Sequence, residues 1–212
     1  MHLRFFSRYR NLKRLSWCRS RSQFSMEGLA WHLEQQRRPQ LEELCLSGAI
    51  ASDQELATVV CRLPLSLKSF ELGSGDFGPL CFRHLQERYF GTLVNLNLEG
   101  CDTFTSRMAL DVLLNCHRLE EFKAAAISLS DLYSTPKPWV CLGLLLLKVT
   151  FINDINDNNE DNSIDRINNG NALVFEQESR LKRLGTCLYV AGLLGPGLQI
   201  QFVHHKAPER ID

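Results

Sequence analysis

The sequence predicts an α/β repeat fold: a parallel sheet lining one face and a layer of helices on the other. Three observations carry that expectation. A short apolar string, Leu-x-x-Leu-x-Leu with conservative replacements, recurs six times, starting at Leu12, Leu41, Leu67, Leu93, Leu119 and Leu144. The steps between these starts are 29, 26, 26, 26 and 25 residues, and near-constant spacing of this kind marks stacked units. Helix-start signals fall between the strings. The composition is globular, with 44% apolar and 23% charged residues, and 212 residues suffice for one sizeable domain.

Each string reads as a strand. Leu15 and Trp17, Leu44 and Leu46, Phe70 and Leu72, Leu96 and Leu98, Phe122 and Ala124, and Leu147 and Val149 are pairs two residues apart. Residues at that spacing share one face of an extended chain. Between strands, Ser52-Asp-Gln-Glu55 forms a capping box ahead of Leu56, Val59, Val60 and Leu63. Gly78-Pro79 places proline at a first helical position, ahead of Leu80 and Leu85. Thr105 or Ser106 caps a helix carrying Leu110, Leu113 and Leu114. A strand and a helix in about 26 residues cannot bury their own apolar faces, so the units must stack.

The pattern is interrupted at 152–171, where eight Asn, four Asp and one Glu fill 13 of 20 positions. Such composition buries no apolar area and reads as a disordered surface insertion. A degenerate C-terminal repeat is expected over 172–205. It holds a charged helix from Ala172 to Arg183, a string at Leu184-x-x-Cys187-x-Tyr189, and a terminal strand through Leu198, Ile200 and Phe202. Residues 206–212 read as a polar tail. Within the insertion, Asp154, Asn156, Asn158 and Asp165 mimic a calcium-binding loop. The apolar eighth position of such a loop is Asp161 here, and no amphipathic helices flank it, so a solvated loop is expected.

The strongest unit runs Leu93-Val-Asn-Leu-Asn-Leu-Glu-Gly-Cys101-Asp-Thr-Phe-Thr105 and continues through Asn115-Cys116-His-Arg-Leu119. It resembles the cysteine-containing subtype of the leucine-rich repeat. That pattern has one cysteine three residues before the first leucine, matched by Cys116 and Cys141, and another eight after it, matched by Cys101. Arg38, Pro64 and Phe90 depart from the first position, and Ala49, Gly75 and Ile127 from the second. The resemblance covers about 9–151. It implies a ribonuclease-inhibitor-like horseshoe, with the sheet on the concave face and helices on the convex face, as a single domain over 1–212. It also implies similarity to the repeat region of F-box/leucine-rich-repeat proteins, whose repeats hold substrates for SCF-type ubiquitin ligases. No Leu-Pro-x-Glu-like F-box opening is present, so an adaptor of the ligase is a partner only if an F-box lies outside this chain. The alternatives are a stand-alone repeat scaffold or regulator and a small-GTPase activator, for which no exposed arginine stands out.

Charge and cysteine usage bound the partners. Residues 1–38 hold nine Lys/Arg and two acids, a net +7, and the remainder holds 15 against 22, a net −7. The acid-free stretch Met1–Met26 has the composition of a mitochondrial presequence. However, Leu12, Leu15 and Trp17 fit the first repeat, and the repeat register explains more of the residues. Eight cysteines fall singly, with no C-x-x-C pair, no Asn-x-Ser/Thr site and no apolar signal core. They read as free thiols in a reducing, intracellular compartment, cytoplasmic or nuclear. The longest apolar run, Trp139–Leu147, is too short to cross a bilayer.

No catalytic residues, metal ligands or cofactor loop are expected. Cys116-His117 places its thiol at an inward position, and His204-His205 lies in an apparent tail. The candidate site is the row of side chains between the strand leucines, which face away from the core. It comprises Glu43, Glu71, Asn95, Asn97, Glu99, Glu121, Lys123 and Lys148, acidic and amide-rich in the middle and basic towards the ends. Such a face suits a basic or mixed-charge protein segment and repels nucleic acid. The expected protein is a monomeric binding module with no membrane or nucleic-acid partner.

Overall fold

The structure, a computed structural model, describes residues 11–18, 26–35, 40–48, 51–128, 139–151 and 199–204. Among these residues, seven strands form one sheet, and every neighbouring pair runs parallel. They are β1 Arg14–Cys18, β2 Glu43–Ser47, β3 Ser69–Leu72, β4 Asn95–Leu98, β5 Glu121–Ile127, β6 Leu146–Phe151 and β7 Gln199–His204. Sheet order equals chain order, so each strand adds beside the last. Among the described residues, four helices follow the first four strands: α1 Met26–Gln35, α2 Asp53–Val60, α3 Pro79–Tyr89 and α4 Ser106–Asn115. The chain is an α/β protein of repeated strand–helix units, as its spacing requires.

The pairing register reproduces the spacing of the apolar strings. Leu15, Leu44, Phe70, Leu96, Phe122 and Leu147 are partners across six strands. From β2 to β6 these inward residues, and those two positions on, are at most 1% exposed. Leu15 and Trp17 of β1 are only partly buried against the core. The β5–β6 pairing shifts register between Ala124 and Ile127. Beside β6, the next strand is β7, with Ile200 and Phe202 paired to Leu147 and Val149. The terminal strand expected through Ile200 and Phe202 therefore extends the same sheet, and His204 closes it rather than lying in a tail. The insertion 152–171, the string at Leu184–Tyr189 and the 206–212 tail lie outside the described residues.

Two phenylalanines in leucine positions tie the sheet to the loops. Phe70 contacts Phe77, Phe77 contacts Phe104, and Phe104 contacts Phe122, with ring centroids 6.1, 5.9 and 6.2 Å apart. Tilted and edge-on rings at these distances add to area burial.

One helix, α2, caps the next. Ser52 and Glu55 make the expected capping box on α2. The N-cap of α3 is Gly78, which has no side chain to offer. Asp53 of the preceding unit replaces it: Oδ1 accepts from the Gly78 and Cys81 amides at 3.0 and 2.9 Å, and Oδ2 from the Leu80 amide at 2.9 Å. A Cβ at position 78 would lie 2.7 Å from that carboxylate, which is why glycine stands there. Thr105 caps α4 through the Met108 amide.

The cysteines at repeat positions serve the same stacking. Cys101 Sγ donates to the Leu72 carbonyl and Cys141 Sγ to the Leu113 carbonyl, each in the preceding unit. A small apolar side chain with a weak donor suits a buried carbonyl that needs one more partner.

Candidate functional site

The strand side chains that alternate with the core stand on the other face of the sheet. No described helix covers that face, and its side chains are half-exposed from β2 to β4. Because the strands are in register, they form rows across the sheet. One row runs Arg14, Glu43, Ser69, Asn95, Glu121 and Leu146. The next runs Ser16, Cys45, Glu71, Asn97, Lys123 and Lys148. All eight expected site residues lie on this face. Glu99 follows Leu98 at the end of β4.

The rows bring together charges that sequence reading had left apart. Arg14 Nε lies 2.9 Å from Glu43, Lys123 Nζ 3.6 Å from Glu121, and Lys148 Nζ 2.6 Å from Glu99. The last pair reaches across β5, where the position beside Glu99 holds the small Ala125. Among the described residues, seven charged side chains thus stand on this face, and six are matched in pairs. Glu71 alone has no ion-pair partner among the described residues. The expected acidic middle is therefore largely neutralised from within. One carboxylate is left over on β3, among Cys45, Ser69, Gly73 and Asn97.

The two central amides differ. Asn97 Oδ1 accepts from the Glu99 backbone amide at 3.2 Å, which fixes the side chain and aims its NH2 outward from that contact. The side-chain amide of Asn95, two residues before on the same face, makes no hydrogen bond to a described residue, while its backbone amide donates to the Lys68 carbonyl. Lys123 and Lys148 are direct cross-strand partners. Like charges so placed are unfavourable and are relieved only by the flanking glutamates.

A second charge row lies at the sheet's rim. Glu42 bridges Lys13 and Lys68 at 3.3 and 2.8 Å. Hydrogen bonds from Lys68 and Lys13 hold its carboxyl below the usual range. This row staples three successive units.

The thiols are placed for packing. Burial pushes the Cys101 and Cys141 thiols up to about 12, and raises Cys81 and Cys116 as well. Cys116 is fully buried while His117 is exposed, so this pair makes no nucleophile–base dyad. No cluster of three or more His, Cys, Asp or Glu suited to a metal occurs among the described residues. Nor, among them, is any helix long and apolar enough to cross a membrane.

Sequence alternation identified the face but missed the pairing. Glu99 and Lys148 are 49 residues apart, and no local signal joins them. The repeat numbering contains that information only once strands two units apart are known to be in register. No protein-family model matches the chain, and no curated protein matches it significantly.

Proposed function

We propose that the chain is a protein-recognition module of the leucine-rich-repeat class that binds a partner on the open face of its sheet. The single observation that carries this reading is the in-register array of half-exposed polar side chains on an all-parallel sheet. Repeat proteins use surfaces built this way for binding, because each strand presents a side chain at a fixed pitch. The horseshoe curvature, which makes this face concave, belongs to the same proposal. So does a substrate-receptor role like that of F-box/leucine-rich-repeat proteins, in which the module binds without catalysing. The buried, strongly raised thiols support an intracellular, reducing setting, since such cysteines need no oxidised partner.

The test is affinity capture with matched charge reversals. Glu71→Lys alters the one unmatched carboxylate without touching the core. Glu87→Lys, on the exposed side of α3, breaks only a 3.9 Å pair with Arg83. Partners retained by wild type and Glu87→Lys but lost by Glu71→Lys support the reading. Partners lost by Glu87→Lys and kept by Glu71→Lys place recognition on the helices and refute it.

A further inference from the structure

The unmatched charge on the open face is not isolated from the matched ones. Glu71, Asn97, Lys123 and Lys148 are consecutive members of one row, on β3, β4, β5 and β6. The row therefore has a polarity across the strands: a bare carboxylate at one end, an amide next, then two ammonium groups side by side. Lys148 is held tightly by Glu99, whereas Lys123 meets Glu121 only at 3.6 Å. An ammonium has three donors, so Lys123 keeps donors for an incoming acid. An acid landing there also relieves the Lys123–Lys148 opposition.

We propose that the face accepts an extended peptide segment laid across the strands, with a basic residue over Glu71 and an acidic residue over Lys123, three positions apart. The spacing follows from geometry. Two inter-strand steps separate Glu71 from Lys123, which is about 9–10 Å. A polyproline II segment rises ~3.1 Å per residue with three residues per turn, so residues i and i+3 lie on one side about 9.3 Å apart. A β-strand peptide alternates sides and puts i and i+3 on opposite faces, so it fits less well. Between the anchors, the Asn97 amide lies where the peptide backbone, unpaired in polyproline II, needs partners, and the Asn95 amide stands in the adjacent row on the same strand. Ser69, Cys45 and Gly73 around Glu71 are small and leave room for a long cationic side chain.

This inference rests on recognition through the open face, and the experiment separates the two. The probe is a displayed library of random twelve-residue peptides, selected against the whole chain. Variants Glu71→Lys, Lys123→Glu and Asn97→Trp are compared, each checked for an unchanged denaturation midpoint. Enriched peptides are expected to carry Lys or Arg and Asp or Glu three positions apart, in either order. Glu71→Lys should abolish the basic requirement, Lys123→Glu the acidic one, and each should weaken a wild-type peptide about tenfold or more. Peptides blocked by Asn97→Trp but lacking the charge pair overturn the inference and leave the open-face reading standing. Peptides indifferent to Asn97→Trp overturn both. A selection that enriches nothing overturns the inference, because a segment of this length contains every contact it invokes.

Discussion

The hydroxyl of Tyr89 lies 2.9 Å from the Val60 carbonyl and 2.7 Å from that of Leu63, at the end of the preceding helix. Arg88 donates from Nε to that hydroxyl and from Nη2 to Leu63 O. One side chain so closes the C-terminal end of a helix in another unit. Tyr89→Phe keeps the ring and removes the donor, so it should cost about 1–2 kcal/mol in a urea titration. Leu96 is 1% exposed with a strand on either side, and Leu96→Ala should cost roughly 2–5 kcal/mol. An unchanged midpoint for Leu96→Ala would mean that the inward face had been assigned wrongly. Gly100 has a different constraint: a Cβ there would sit 1.8 Å from the Gly73 carbonyl oxygen. Gly100→Ala must push two neighbouring strand ends apart. At this scale the sequence was informative about Leu96, whose place in the repeat names it as core. It said nothing of Tyr89, whose role depends on a helix end 26 residues away.

Among the elements, the strands were legible and the helices partly so. Strands two to six follow from the 25- and 26-residue steps, since a fixed spacing fixes both register and face. The starts of α2, α3 and α4 followed from Ser52, Pro79 and Thr105. The α1 helix was not expected from the sequence, and Met26, Leu29, Ala30 and Leu33 form its buried apolar side. The cap on α3 was hidden because Asp53 is itself the first helical residue of α2 and acts on another unit. Asp53→Ala should therefore cost about 1–2 kcal/mol, at the upper end of cap losses, because three amides lose one acceptor group. Asp53→Asn retains one oxygen and should fall between. If both variants unfold with wild type, the inter-unit cap adds nothing to stability. Glu55 is likewise no neutral helix-surface position, because its carboxylate completes the α2 capping box.

For the whole molecule, stacked buried thiols set an alkaline limit. Burial pushes Cys81, Cys101, Cys116 and Cys141 all above the ordinary thiol range. Folded, each holds its proton longer than it does unfolded. The stabilisation is complete below the unfolded thiol range and is lost as pH rises through about 9 towards the folded values. Each thiol steepens the fall by about 1.4 kcal/mol per pH unit. Denaturation midpoints between pH 7 and 10.5 should show a drop above about pH 9 that Cys116→Ala makes shallower. In the native state these four thiols should resist a thiol reagent that labels unfolded chain. The same stacking explains why the candidate face was only half legible. Alternation along each strand named Glu43, Glu71, Asn95, Asn97, Glu99, Glu121, Lys123 and Lys148. Which of their charges cancel depends on contacts between units.

Everything proposed for function depends on that face being a true in-register row, and engineered zinc binding tests it most directly. Asn97 and Lys123 are cross-strand partners on the open face, whereas Lys148 lies one strand further on. Histidines at 97 and 123 should hold one zinc ion between them, and metal bound only by the folded chain raises stability by mass action. The double variant Asn97→His/Lys123→His should gain several degrees in Tm with excess zinc. The double variant Asn97→His/Lys148→His, with two strand spacings between its rings, should gain no more than Asn97→His alone. Equal zinc shifts in the two double variants, or a shift only in the second, would contradict the register and remove the row on which recognition is proposed to rest.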